Sequence, residues 1–204
     1  LGKAIGGDIL EGKQTYLMIT AMSRADEAMR EALRHIVGVQ FRNTAMLGGS
    51  VYGRFGFSDV LTLFLALDCE VELYKAGRMP LAQFAAMPYD RDILTHICLR
   101  KTPGLRVQYQ SVRATQTDFP ILTCAAARLA DGSYRVAIGA RPLKAVRFEF
   151  AAGKVPVPQL AQTMADEVKQ QIVTGSNMRG SAEYRRHLAG VLTKRAVLEL
   201  ERHT

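Results

Sequence analysis

Cysteine and histidine are scarce in this chain of 204 residues. The three cysteines, Cys69, Cys98 and Cys124, are odd in number, far apart and set among apolar residues. This pattern predicts buried thiols in a reducing cytoplasm and provides neither a disulfide framework nor a CxxC metal site. The four histidines show no spacing typical of metal ligands. We therefore expect no protein-bound metal and a cytoplasmic location.

Long apolar runs are also lacking. The longest, Val60 to Leu67, is interrupted by Thr62 and ends at Asp68, whereas a membrane-spanning helix needs about 20 apolar residues. No signal-peptide pattern precedes it, so the sequence predicts no membrane association. Because the chain begins at Leu1 without a methionine, we expect a processed product or a fragment.

Acidic residues are too few to balance the basic ones, and the formal net charge is +8. Such an excess can indicate nucleic acid, acidic lipid or a phosphate-bearing ligand. Much of it lies near the C-terminus, where no aromatic residues are interleaved for base stacking. We interpret these residues as the solvated face of a helix and expect no nucleic-acid binding. They are Arg179, Arg185, Arg186, Lys194, Arg195 and Arg202.

The pattern of the sequence changes along the chain. Residues 1–37 are typical of helices, and residues 39–57 of a glycine-punctuated loop. Ser58 and Asp59 then predict the start of a short helix that ends near Leu67. Strands are predicted at 69–74 and 92–99, with a short helix that begins at Pro80 between them.

Strands dominate from residue 102 onward. We predict them at 105–112, 119–129, 134–140 and 146–150, with a hairpin turn at Asp131-Gly132-Ser133. Two helices follow, at about 158–173 and 182–202. In the first, Leu160, Met164, Val168 and Ile172 repeat every four residues and predict a core-facing stripe. Strands followed by packed helices indicate an α+β fold.

Two adjacent glycines stand out in the stretch RNTAMLGGS, residues 42–50. Gly48 and Gly49 would let backbone N–H groups approach a ligand closely, and Ser50 adds a hydroxyl group. The stretch is therefore a candidate phosphate or cofactor loop. The alternative is a plain turn between two strands.

The wider sequence resembles a known family. The run RNTAMLGGS, followed by Ser58-Asp59, a helix and a strand, is similar to the FAD-binding subunit of xanthine dehydrogenase-type molybdenum hydroxylases. The later segments RDILTHICLRK, VQYQSVRATQTDFPILTCAAARLADGSYRVAIGA and GSAEYRRHLAGVLTKRAVLEL continue the resemblance in order, so that it covers about residue 29 to the end. Met46 departs from the family pattern, which usually has Thr or Ser there.

The resemblance implies a set of FAD contacts. The twin-glycine stretch would lie along the cofactor, and Asp59 would accept a hydrogen bond from its sugar region; the alternative for Asp59 is a helix cap. Asn43 and Thr44 would shape the loop, and Ile93 and Leu94 would contact the flavin ring. The implied cofactor-binding residues are Asn43, Thr44, Gly48, Gly49, Ser50, Asp59, Ile93 and Leu94.

The resemblance also implies an activity and partners. Such a subunit passes electrons from iron–sulfur clusters through FAD to NAD, beside a molybdopterin-binding subunit and a 2Fe-2S subunit. The protein holds and tunes the flavin, so no catalytic acid, base or nucleophile is expected in this chain. We predict a helical segment over 1–35, a partial FAD-binding subdomain over 36–101 and a C-terminal flavoprotein domain over 102–204. The family's N-terminal FAD subdomain would precede residue 29 and is expected to be missing.

Residues 1–28 resemble a different family, the polyprenyl diphosphate synthases, near the end of their second Asp-rich region. Lys3, Asp8, Lys13 and Thr15 match that pattern, and the resemblance implies that the two lysines neutralise a diphosphate. The aspartates that would hold magnesium in a synthase are not in this sequence. The alternative function is therefore a non-catalytic or chimeric fragment.

Overall fold

The computed structural model describes residues 46–89, 91–115 and 118–202 of the chain. The helices predicted within residues 1–37 lie outside the described residues, as do Lys3, Lys13, Asn43 and Thr44. Within the described ranges, no helix has both the length and the apolar character that crossing a membrane requires.

The first half of the described chain has a small antiparallel sheet with short helices. Helices α1 and α2 are followed by strands β1 and β2, helix α3 and strand β3, and the strand order in the sheet is β2-β1-β3. Their bounds are α1 Leu47–Tyr52, α2 Asp59–Ala66, β1 Cys69–Leu73, β2 Gly77–Pro80, α3 Leu81–Ala86 and β3 Leu94–Leu99.

The second half is a four-stranded antiparallel meander covered by two longer helices. The strands pair in chain order, β4-β5-β6-β7, and helices α4 and α5 close the chain. The bounds are β4 Arg106–Val112, β5 Leu122–Arg128, β6 Tyr134–Gly139, β7 Val146–Phe150, α4 Val157–Gln171 and α5 Ala182–Arg202. The α+β prediction is confirmed.

Local signals explain several of these elements. The Ser58 hydroxyl accepts a hydrogen bond from the backbone N–H of Leu61 at 3.2 Å, which caps α2 at the predicted place. In the hairpin between β5 and β6, Gly132 has a φ of +82°, and the Asp131 carboxylate accepts from the Ser133 N–H at 2.9 Å. Such backbone geometry favours glycine, as the sequence predicted.

The prediction of a continuous loop over residues 39–57 is wrong for its described part, because residues 47–52 form helix α1. Glycines have low intrinsic helix propensity, which is why the sequence pointed to a loop. Leu47 and Val51, however, lie one helical turn apart and are both buried. Their packing into the core outweighs the cost of the two glycines between them.

Helix α2 is buried on all sides, and all eight of its residues belong to the interior. It packs against one face of the four-stranded sheet, on β5 and β6, whereas α4 and α5 cover the other face. Ala125 and Ala127 of β5 face α2, and Cys124 and Ala126 face the two long helices. The small side chains of β5 let both layers approach the sheet closely.

The loop before α2 makes a close backbone contact with the end of β6. Gly56 accepts a hydrogen bond from the N–H of Ala140 through its carbonyl oxygen at 2.5 Å. A Cβ atom on Gly139 would lie 2.1 Å from the Thr62 hydroxyl oxygen and 2.6 Å from that of Thr123. These distances are far below van der Waals contact, so the junction between the two halves requires glycine at position 139.

We expect Gly139→Ala to lower the free energy of unfolding by about 1–3 kcal/mol, because the added methyl group overpacks this junction. Denaturant titration of the whole chain measures the effect. Gly153→Ala is the matched control: its Cβ would meet only the flexible Leu160 side chain at 3.3 Å and Val155 at 3.7 Å, and a change within about 0.5 kcal/mol is expected. Equal effects of the two substitutions would contradict the assigned contact.

Cys69 and Cys124 are buried free thiols, as predicted, whereas Cys98 is half-buried. Burial raises the pKa of the Cys124 thiol to about 12, while a cysteine in an unfolded chain ionises near pH 8.5. The folded state therefore favours the neutral thiol. The stability that the buried neutral thiol of Cys124 contributes is complete below the unfolded pKa and is lost as the pH rises toward 12.

The substitution Cys124→Ala should remove this part of the alkaline destabilisation. Between about pH 8 and about pH 10.5, we expect the loss of unfolding free energy to be smaller in the variant by about 2 kcal/mol. Denaturant titrations of both proteins at both pH values measure this difference. An equal loss in the two proteins would show that Cys124 ionises as readily in the folded state as in the unfolded state.

Candidate functional site

The twin glycines lie on the surface side of α1. Gly49 is exposed and Gly48 is partly exposed. Among the described residues, none lies within 4 Å of a Cβ atom built on Gly48, and a Cβ on Gly49 would meet only the Met46 side chain, at 3.5 Å. Each glycine costs a helix roughly 1 kcal/mol relative to alanine. Neither the backbone nor the packing of the described residues requires them, so this surface suits the close approach of another molecule.

Ser50 follows the glycines and makes hydrogen bonds to two nearby residues. Its hydroxyl donates to the carbonyl oxygen of Met46 at 2.9 Å, and its own carbonyl accepts from the Ser58 hydroxyl at 2.8 Å. The hydroxyl hydrogen of Ser50 is therefore used within α1, whereas its oxygen can still accept a hydrogen bond from a ligand. The bond from Ser58 joins α1 to the N-terminus of α2.

The start of β3 lies beside the end of α1. The Tyr52 hydroxyl donates to the carbonyl oxygen of Asp92 at 2.7 Å. The next residue, Ile93, is 65% exposed, while Leu94 packs partly against the core. The structure thus brings the predicted apolar contact Ile93 near the glycine helix, and it directs Leu94 toward the interior.

Asp59 occupies the first position of α2, and its side chain is only 5% exposed. Its Oδ1 atom accepts hydrogen bonds from the Tyr109 hydroxyl at 2.5 Å and from Nη2 of Arg113 at 2.6 Å. No hydrogen bond from the described residues reaches Oδ2. The alternative role of Asp59 as the helix cap is not borne out, because the capping hydroxyl belongs to Ser58.

Tyr109 and Arg113 were not singled out from the sequence. They lie 50 and 54 residues from Asp59 in the chain, and no local spacing signals the contact. Burial, and then the negative charge of Asp59, raise the pKa of Tyr109 well above its usual value. The tyrosine therefore stays protonated and donates to the carboxylate.

The loop after α1 holds a buried arginine that packs against aromatic rings. Arg54 has a φ of +47°, and its guanidinium group lies 4.4 Å from the centre of the Phe84 ring and 4.7 Å from that of Tyr89. Phe55 and Phe57 are about half exposed and stack at 5.3 Å. The arginine fixes the path of the loop, and the two rings form an apolar surface next to the glycine helix.

The prediction of a solvated basic face near the C-terminus is wrong for Arg185, which is fully buried. Its guanidinium group donates to the carbonyl oxygens of Ile121, Gly175 and Gly180 and to the Asn177 side chain. Burial lowers the pKa of Arg185. This arginine therefore holds the turn before α5. The other five residues are exposed or half-buried, in line with the prediction.

Two family models match the chain. The FAD binding domain in molybdopterin dehydrogenase matches residues 11–99, and the CO dehydrogenase flavoprotein C-terminal domain matches residues 107–200. The first match begins closer to the N-terminus than the resemblance from about residue 29. It includes Lys13 and leaves out Lys3.

Named relatives agree with these matches. The uncharacterized protein YgfM of Escherichia coli K12 is 28% identical over 186 residues, covering 86% of this chain and 70% of the relative. The glyceraldehyde dehydrogenase medium chain of Sulfolobus acidocaldarius is 27% identical, with 84% and 67% coverage. The xanthine dehydrogenase FAD-binding subunit of Escherichia coli O157:H7 is 26% identical, with 84% and 65% coverage. The chain thus spans about two thirds of the length of these relatives.

Solved structures share the fold. A carbon monoxide dehydrogenase from Hydrogenophaga pseudoflava aligns with a TM-score of 0.77 at 22% identity, covering 92% of this chain and 71% of that chain. Quinoline 2-oxidoreductase from Pseudomonas putida 86 aligns with a TM-score of 0.74 at 19% identity, with 91% and 72% coverage. The predicted family and its cofactor are confirmed: the chain belongs to the FAD-binding subunits of molybdenum hydroxylases, a family of oxidoreductase subunits.

Proposed function

We propose that this chain carries FAD in a molybdenum hydroxylase and passes electrons from iron–sulfur clusters to NAD. The observation that supports the proposal most directly is the surface at Gly48 and Gly49, which is open to a ligand and which the described residues do not explain. The proposed partners are a molybdopterin-binding subunit and a 2Fe-2S subunit in the cytoplasm. Two relatives that are named as a medium chain and as an FAD-binding subunit support this assembly.

The residues present fit FAD. Without side chains at the twin glycines, the α1 backbone can lie against the cofactor, and the Ser50 oxygen can accept a hydrogen bond. Oδ2 of Asp59 can accept from a sugar hydroxyl, and Ile93 offers an exposed apolar contact for the ring system. We keep Leu94 as a support behind Ile93, and Asn43 and Thr44 as residues that shape the segment before α1.

When bound, FAD supplies the redox chemistry, accepting electrons and passing them on. This chain's own residues bind and orient it. We propose that residues 36–101 provide the contacts and that residues 102–204 support them from behind, through the core that α2 shares with β5 and β6. No proton transfer by a side chain of this chain is required.

The glycines provide a sharp mutational test. Gly48→Ala should leave the unfolding free energy unchanged or raise it by up to about 1 kcal/mol, because alanine favours the helix. Gly49→Val should have a small effect on stability, since among the described residues its Cβ meets only the flexible Met46 side chain. Both should weaken FAD binding, Gly49→Val to below detection, because a side chain occupies the space of the approaching cofactor. Flavin fluorescence titration measures binding, and denaturant titration measures stability.

Ala82→Val in α3 is a suitable control, because it also introduces a valine, at a partly buried helix position outside the proposed site. It should leave the FAD affinity unchanged. Full FAD affinity in both glycine variants would rule out the site, even if the chain binds flavin elsewhere.

Electron transfer to NAD is tested separately. The chain with added FAD, freed of excess flavin and mixed with NADH without oxygen, should lose its visible flavin absorption band faster than free FAD does. A rate equal to that of free FAD would contradict NAD as the electron acceptor. It would leave FAD binding itself intact.

A further inference from the structure

We propose that Arg113 and Tyr109, in the C-terminal half of the chain, are positioning residues for the FAD site in the N-terminal half. They hold Asp59, and through Ser58 this contact fixes the orientation of the glycine helix α1. The inference rests on the proposed FAD site and adds residues that lie outside it.

The first step is the set of hydrogen bonds that holds the Asp59 side chain in place. Arg113 donates from Nη2 to Asp59 Oδ1 at 2.6 Å, from Nη1 to the carbonyl oxygen of Asp118 at 2.8 Å, and from Nε to the Ser111 hydroxyl at 3.2 Å. The guanidinium group is thus fixed on three sides, and only 9% of its side chain is exposed. Tyr109 adds a second donor to the same carboxylate oxygen. Charge-assisted hydrogen bonds of this kind are strong and directional.

The second step leads from Asp59 to the glycines. Ser58, the adjacent residue, accepts from the Leu61 N–H at 3.2 Å and donates to the carbonyl oxygen of Ser50 at 2.8 Å. Ser50 lies one residue beyond Gly49 in α1. A shift of Asp59 therefore changes the bond that holds the end of the glycine helix.

A second arginine provides the matched comparison. Arg135 donates from Nη1 to the carbonyl oxygen of Leu67 at 3.2 Å, at the opposite end of α2, and pairs with Glu149 at 3.4 Å. It joins the same two halves of the chain, but it has no hydrogen bond to Asp59 or Ser58. If Arg113 had a merely structural role, its loss, like that of Arg135, would lower the melting temperature without a change in FAD affinity.

The test compares Arg113→Gln, Tyr109→Phe and Arg135→Gln in the whole chain with added FAD. Affinity is measured by flavin fluorescence well below the unfolding transition, and the visible circular dichroism of the bound flavin reports how it is held. We expect Arg113→Gln to weaken FAD binding at least tenfold, Tyr109→Phe severalfold, and both to change the dichroism. Arg135→Gln should lower the melting temperature and leave affinity and dichroism unchanged. Tyr109→Phe keeps the test informative if Arg113→Gln does not fold.

A double-mutant cycle tests the route through Ser58. If Arg113 acts through it, adding Arg113→Gln to Ser58→Ala should cause little further loss of affinity, because the bond to Ser50 is already absent. Unchanged affinity in Arg113→Gln and Tyr109→Phe, or an equal loss in Arg135→Gln, would overturn the inference alone. Absence of FAD binding by the unvaried chain would overturn the proposed function and this inference together.

Discussion

The position of helix α2 is the constraint on which the rest of the described structure depends. Eight residues are too few to form a stable helix in water, so burial against the sheet must hold it. Each large side chain buried there, such as Leu61, Leu63 and Phe64, contributes roughly 1.5–3 kcal/mol. Because α1 is joined to α2 through Ser58 and Ser50, the geometry of the candidate site follows from how α2 is placed in the core.

Apolar burial alone would leave that placement poorly defined, since a helix that is buried all round has no face to distinguish. Polar contacts at the two ends of α2 fix its position and orientation. Asp59 lies in the first turn and binds Arg113, and the carbonyl at its last turn receives Arg135. Both charges complement the helix dipole. Part of the desolvation cost of the buried pair is offset, because Tyr109 also donates to Oδ1 of Asp59 and Arg113 has two further acceptors, the Ser111 hydroxyl and the Asp118 carbonyl.

Much of the fold could be predicted because its signals are local. Ser58 caps the helix that it was expected to cap, Gly132 turns the predicted hairpin, and Met164, Val168 and Ile172 are buried along one stripe. Helix α1 could not be predicted, because two glycines outweigh its apolar residues in any local count. The contact between Arg113 and Asp59 is set by tertiary packing alone. The burial of Arg185 is also set by tertiary packing. Helical spacing shows which face of α5 the residue lies on, but not that the preceding turn covers that face.

The structure gives different reasons for glycine at positions 48 and 139. The sequence predicts a close approach at Gly48 and gives no such signal at Gly139. In the structure, Gly139 is explained by the Thr62 and Thr123 hydroxyls, which would clash with a Cβ atom there, whereas no described residue lies within 4 Å of a Cβ atom on Gly48. A glycine that costs helix stability without relieving a clash has its reason in a contact that the described residues do not make. We propose that this contact is made with FAD, the cofactor of the family, at a stretch of α1 that the packing of the described residues leaves unexplained.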